Sequence, residues 1–368
     1  MMKARRNARS RQTLGVVLLA ALTLASTGGW ADTPKFPGAD WETVPTAQQS
    51  PACQDALSRA RGQLESGATT ALVAARDGRI LFSYGPIATA SIVESVRKSI
   101  LAMMYGRHVA DGTIDLDATL GALGIDDIGG LLPIEKTARV RDLLSSRSAV
   151  YHPAANAGDD LSTAPIRGSQ QPGSYFLYNN WGFNAAGTVF EQATGRGIYE
   201  AFATDIAAPL HLQDFQPGRH VRGRFGDKTR SSHPPYHFFL STRDMARIGY
   251  LMLEHGQWEG TQVIAADWVT TITTPITTSA DMHPRKTAAY GLGYGDLWWT
   301  FAEPPGSPLE GAFMAWGVHG QYILVAPKRN MVIAHKRLVA PSANGPVLRV
   351  RKDDFLAAAR ILLDAPCP

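Results

Sequence analysis

Strand-forming sequence lies toward the two ends of this chain, and that separation limits the folds it can adopt. Residues 71–84 carry apolar runs on either side of Asp77-Gly78, a two-residue turn pair, and read as a hairpin. Strand character returns only from Tyr290, over residues 291–301, 321–326 and 331–336, with Pro327-Lys328-Arg329-Asn330 as the turn between the last two. From Thr113 to about His283 the pattern is mainly helical, broken by Gly, Pro, Asn and Asp-rich loops such as 151–173. A lone hairpin is marginal in water, so the early and late strands are expected in one sheet. The expectation is an α/β (α+β) fold: an antiparallel sheet flanked by terminal helices, with a large mainly helical insertion. In that reading residues 50–98 and 285–368 form the sheet domain, and 99–284 the helical one.

The flanking helices have clear signals. Ser50-Pro51 supplies a capping side chain and a proline at the first helical position, ahead of the stripe Ala56, Leu57, Ala60 and Leu64. Residues 353–364 close the chain as an amphipathic helix. In the insertion, residues 241–255 have Ser241 as cap, with Met245, Ile248, Gly249 and Met252 as the inner face. The two cysteines, Cys53 and Cys367, stand beside the terminal helices. Packed on one sheet, those helices could bring the thiols together as a disulfide in an oxidising compartment.

Residues 1–31 belong to another class. Lys3, Arg5, Arg6, Arg9 and Arg11 precede an apolar run over residues 14–25 and the small-residue site Gly29-Trp30-Ala31. This is the pattern of a secretory signal, with residues 32–49 as a linker, and it points to a periplasmic or secreted protein. Whether the signal is cleaved or kept as an anchor stays open. The leader holds five of the 36 basic residues and none of the 32 acidic ones, leaving 31 against 32, or −1, for the rest. Basicity is thus a property of the leader and does not argue for nucleic acid as a partner. No membrane span is expected after signal cleavage, and a small uncharged or zwitterionic substrate fits better.

Ser95 and Lys98 stand three apart in a predicted helix, on one face, where a hydroxyl and an amine can meet. A serine is a weak nucleophile until a neighbour takes its proton. Ser91-x-x-Glu94 has the form of a capping box that would tie up the Ser95 amide. A catalytic Ser95 needs that amide free, so the helix is expected to start at or just before Ser95, and to end before Gly106. Tyr178 and Asn180 form Tyr-x-Asn after the Pro172-Gly173 turn. A phenol beside a lysine can shuttle a proton, and an asparagine amide can orient a carbonyl.

Ser-x-x-Lys, then Tyr-x-Asn, then Gly-rich late strands resembles the penicillin-recognising serine hydrolases, especially class C β-lactamases and their esterase and D-peptidase relatives. Val140-Arg141-Asp142-Leu143-Leu144, Ser241-Thr242-Arg243-Asp244-Met245 and Gly293-Tyr294-Gly295-Asp296-Leu297-Trp298-Trp299 extend the likeness. The Trp-Trp pair and Gly317-Val318-His319-Gly320-Gln321-Tyr322 look most similar to the 6-aminohexanoate-dimer hydrolase branch. The resemblance implies a β-lactamase/transpeptidase-like fold, Ser95 as nucleophile, Lys98 and Tyr178 as proton carriers, and an oxyanion hole from the amides of Ser95 and Val318.

One motif departs from that pattern. Where the family carries Lys-Thr-Gly or His-Thr-Gly, this chain has Ala315-Trp316-Gly317, with neither cation nor hydroxyl. Recognition of a carboxylated β-lactam is weakened; ester or simple amide cleavage is not. Asn180, Tyr151, His152, Trp316 and Gly317 are expected to position substrate, whereas His319 reads as structural because Ser95 already has a lysine. No cofactor or metal site is expected, since no His-Glu-x-x-His spacing occurs. The reading is an exported serine hydrolase cleaving carboxylic esters or open-chain amides through an acyl-enzyme. A β-lactamase or D-alanyl-D-alanine carboxypeptidase, and a non-catalytic envelope binding protein of the same fold, remain the alternatives.

Overall fold

The early hairpin and the late strands share one sheet. A computed structural model describes Met1 and residues 36–158, 161–338 and 348–368, so the expected signal falls almost wholly outside the described residues. The elements are β1 (Glu42–Thr43), α1 (Pro51–Glu65), β2 (Ala71–Arg76), β3 (Arg79–Tyr84), β4 (Ser91–Ile92) and α2 (Val96–Ala110). They continue with α3 (Val140–Leu144), α4 (Asn180–Thr194), α5 (Ile198–Phe202), β5 (Phe239–Leu240), α6 (Thr242–Leu253), β6 (Gln257–Trp258), β7 (Thr261–Gln262), α7 (Ala266–Thr273) and α8 (Arg285–Ala288). The last are β8 (Leu292–Tyr294), β9 (Trp299–Phe301), β10 (Phe313–Gly317), β11 (Gln321–Ala326), β12 (Met331–Lys336) and α9 (Lys352–Leu363).

Eight strands run in the order β1-β3-β2-β12-β11-β10-β9-β8. Pairing is antiparallel except for β1 on β3. The seam between the chain's two ends is β2 on β12, with Val73 opposite Ala334 and Ala75 opposite Val332. Because side chains alternate along a strand, Val73, Ala75, Ile323, Val325 and Val332 pack with Ile100, Met245 and Ile248 on one face. Leu72, Ala74, Leu324, Met331 and Ile333 pack with Leu64, Phe355 and Leu362 on the other. Both faces are therefore buried, which is why β11 and β12 read as near-continuous apolar runs. Helix α6 lies directly on the sheet: a Cβ on Gly249 would fall 2.5 Å from Val332 Cγ1. On the opposite face Cys53 of α1 and Cys367 after α9 are joined as a disulfide.

Several expectations need correction. Residues 291–301 are not one strand: β8 and β9 form a tight pair with Tyr294 opposite Trp299 and Leu297 at φ +62°. Gly295 sets this turn, since a Cβ there would meet Ile272 O at 2.5 Å and Thr274 O at 2.7 Å. Helix α2 does not stop before Gly106 but runs through it to Ala110. That glycine is a crossing point, its Cβ position 2.4 Å from Trp268 Cδ1 of α7. The 113–283 segment is less helical than its pattern suggests, and it holds β5, which pairs with β4, and the strand pair β6–β7. Its loops are anchored by buried side chains, chiefly Asp127, which accepts from Trp181 Nε1 at 2.6 Å, from the Ser232 amide at 2.7 Å and from the Ser231 hydroxyl. Among the described residues no helix is long and apolar enough to cross a membrane.

Candidate active site

Ser95 sits where β4 turns into α2. Val93 N–H donates to Phe238 O at 3.0 Å, Glu94 takes φ +50°, and Ser95 is the N-cap residue of α2. The capping box does not form, because Ser91 is committed to β4, paired with Leu240 of β5. Lys336 reinforces that commitment: its Nζ, buried beneath the strand pair, donates to Ser91 O at 2.8 Å and Leu240 O at 2.6 Å. Burial pulls the Lys336 amine down to about 7. Glu94, held in a left-handed conformation that costs a non-glycine residue roughly 1 kcal/mol, has its carboxyl raised by burial against the pull of Arg97, Lys98 and Lys336.

One turn into α2, Lys98 Nζ donates to Ser95 Oγ at 3.1 Å and to Tyr178 Oη at 2.5 Å. The lysine is only 1% exposed, and its Nζ lies 4.1 Å from the Tyr178 ring centre and 4.2 Å from that of Phe183. Tyr178 is held in place by its neighbour in the chain. Asn179 caps α4 by accepting from Trp181 N at 2.9 Å, and its Nδ2 donates to Val150 O at 2.7 Å. The phenol ring stacks on Trp299, with centres 5.8 Å apart and planes 24° apart.

The opposite wall is the end of β10. A Cβ on Gly317 would stand 2.5 Å from Val93 O and 3.0 Å from Glu94 Cβ, so this strand abuts the turn that presents Ser95. Beyond it the chain bends at His319, φ +71°, into β11. Among the described residues the amides of Ser95 and Val318 make no backbone hydrogen bond, and both residues line one cavity of about 500 Å³ together with Tyr178, Trp316 and His319. Two N–H groups beside a hydroxyl are what a developing oxyanion requires.

Other expected residues fall elsewhere. Tyr151 and His152 do not line this cavity. The chain takes left-handed turns at Ser146 and Ala149 and sends both side chains inward. Tyr151 packs on Ala149 and Leu177. His152 makes ring contacts of 2.8 Å to Ile128 O and 3.0 Å to Pro153 O. Asn180 is buried at the start of α4, and its Nδ2 donates to Ala157 O at 2.7 Å, holding the chain beside cavity-lining Gly158. His319, read as structural, does line the cavity; burial and Arg349 lower its imidazole, which favours the neutral form. Trp299, Tyr290 and Tyr322 also line it and were missed, since apolar rings at strand positions read equally as core. No cluster of three metal-ligating side chains occurs among the described residues.

This arrangement has counterparts among known proteins at the level of fold. A search of curated proteins found no match. Among solved structures the fold is similar to a Bacillus anthracis protein described as "Putative 6-aminohexanoate-dimer hydrolase", with TM-score 0.61, 17% identity, and 83% of this chain and 80% of that one covered. EstCE1, described as a hydrolase with promiscuous acyltransferase activity, gives TM-score 0.61 at 15% identity over 85% of this chain and 100% of its own. A penicillin-binding protein homolog from Caulobacter crescentus gives 0.58 at 16% identity over 85% and 98%. At such identities the likeness is one of fold. A family model described as Beta-lactamase matches residues 59–337, well over half of the sequence, and the chain belongs to that family.

Proposed function

We propose that this protein is an exported serine hydrolase that cleaves carboxylic esters or open-chain amides through an acyl-enzyme on Ser95. The observation that carries the proposal is the placement of Lys98 Nζ within hydrogen-bond reach of both Ser95 Oγ and Tyr178 Oη. Ser95 Oγ adds to the substrate carbonyl while its proton passes to the Lys98–Tyr178 pair. The amides of Ser95 and Val318 receive the oxyanion. The same proton then goes to the departing alcohol or amine as the C–O or C–N bond breaks. Water, giving a proton to Tyr178, attacks the acyl-serine and releases the acid, and Ser95 is restored. Export is supported by the leader's residue pattern and by the Cys53–Cys367 bond, which suits an oxidising compartment.

The β10 wall favours esters and amides over β-lactams, because Ala315 and Trp316 offer no cation or hydroxyl for a substrate carboxylate. Ser95→Ala is expected to abolish hydrolysis of p-nitrophenyl acetate and butyrate and labelling by a fluorophosphonate. Retained turnover in that variant excludes Ser95 as nucleophile. Nitrocefin turnover faster than ester turnover would favour the β-lactamase alternative, and a folded protein inert to every acylating probe would favour a binding protein.

A further inference from the structure

The cavity beside Ser95 has an aromatic wall that the proposed chemistry does not use. Trp299 stands 5.3 Å from Trp316, centre to centre, with planes at 55°; Trp316 stands 4.8 Å from Tyr290 at 68° and 6.2 Å from Tyr322 at 36°. Trp299 and Tyr322 are 5% and 1% exposed and act as fixed backing, whereas Tyr290 is 38% exposed and Trp316 half-buried. The open end of the wall is therefore a corner between two rings set edge to face.

Such a corner could hold an alkyl chain, a cation or another ring. An alkyl chain gains only the area it buries. A planar ring gains that area and also the offset or edge-to-face contact that ring pairs prefer at centre separations of about 4.5–7 Å. A cation would be drawn to ring faces, but the charged groups lining the cavity oppose it. Among the described residues that line it, Arg349 and Arg351 are positive, and the carboxylate of Asp353 is paired with Lys352 at 2.6 Å.

We infer that the group lodged against the corner formed by Tyr290 and Trp316 is an uncharged aromatic ring, which makes the enzyme selective for aryl-bearing esters or amides. This rests on the serine hydrolase reading above. The test is kcat/KM for two matched pairs: methyl phenylacetate against methyl cyclohexylacetate on the acyl side, and benzyl acetate against cyclohexylmethyl acetate on the alcohol side. The aromatic member of one pair is expected to react about threefold to tenfold faster, and the pair that discriminates identifies which side of the scissile bond faces the corner. Trp316→Leu, and Tyr290→Leu at a position exposed enough to leave folding intact, should bring that pair to parity. A 4-(aminomethyl) derivative, cationic at neutral pH, should react more slowly than its 4-methyl counterpart. Parity of both pairs in the unaltered enzyme, or faster turnover of the cationic derivative, overturns the inference while leaving Ser95 chemistry standing. Absence of all ester turnover together with no fluorophosphonate labelling overturns both.

Discussion

In the proposed reaction the two walls of the cleft meet the substrate carbonyl in different ways. On the α2 side the proposed reaction draws on the side chains of Ser95, Lys98 and Tyr178, joined by hydrogen bonds of 3.1 and 2.5 Å, as well as on the Ser95 amide. On the β10 side the proposed contribution is main chain only, the Val318 amide, while the side chains at positions 315 and 316 are Ala and Trp. The difference teaches that a wall contributing only main chain is free to change its side chains, and with them its substrates, so long as the strand keeps its distance from the nucleophile.

The largest effect expected falls on the side-chain wall. Tyr178→Phe keeps the ring on Trp299 but removes the hydroxyl beside Lys98 Nζ; kcat should fall about 10²- to 10⁴-fold, as for loss of a general acid–base group. Activity within threefold of the parent would mean that Lys98 acts alone. On the main-chain wall, Val318→Pro removes one N–H and should cost about 10²- to 10³-fold in kcat, whereas Val318→Ala, at a residue 43% exposed, should stay within about threefold. Equal losses in the two variants would break the comparison. Gly317→Ala tests spacing: its Cβ would meet Val93 O at 2.5 Å, and because that atom is backbone β10 must be pushed back, which should lower kcat about 10- to 100-fold and the melting temperature with it.

The smallest effect is expected in the turn between β8 and β9. Asp296, in the β8–β9 turn, has a buried Oδ1 with no hydrogen-bond partner among the described residues, and burial pushes its carboxyl up to about 7 against the pull of Arg141. An unfolded aspartate titrates near 4. The folded protein therefore holds an extra proton between roughly pH 4 and 7, and the group's contribution to stability is lost as pH rises through that window. Asp296→Asn should accordingly raise the melting temperature by a few degrees at pH 8 and leave it nearly unchanged at pH 4. A shift of the same size at both pH values would show that the carboxyl is not protonated in the fold.

The features legible in the sequence were local chemistry with a fixed geometric rule behind it. Asp77-Gly78 announces a hairpin, and both residues take positive φ, +48° and +68°. Ser95 and Lys98 share a helix face because helices have one period, and Ser50 caps α1 by accepting from Cys53 N at 3.1 Å. The features that stayed hidden depended on partners far away in the chain. Gly106 resembles a helix stop until Trp268 is seen against it. That the Ser91-x-x-Glu94 box stays unformed is expected from the need for a free Ser95 amide, but the pairing of Ser91 with β5 that prevents it is not visible in the sequence. Tyr151 and Trp316 are both aromatic residues in apolar surroundings, yet one points into packing with Leu177 and the other into the cleft. No spacing rule separates them.

The bond between Cys53 and Cys367 spans 314 positions, which makes nearly the whole folded chain a covalent ring. Cutting such a ring once, at any surface loop, opens it without liberating a piece, so a nicked molecule keeps its full mass until a reductant is added. Tension applied on either side of the bridge would likewise pass through the sulfurs and bypass the chain between them, Ser95 included, while β1, which precedes Cys53, stands outside that protection.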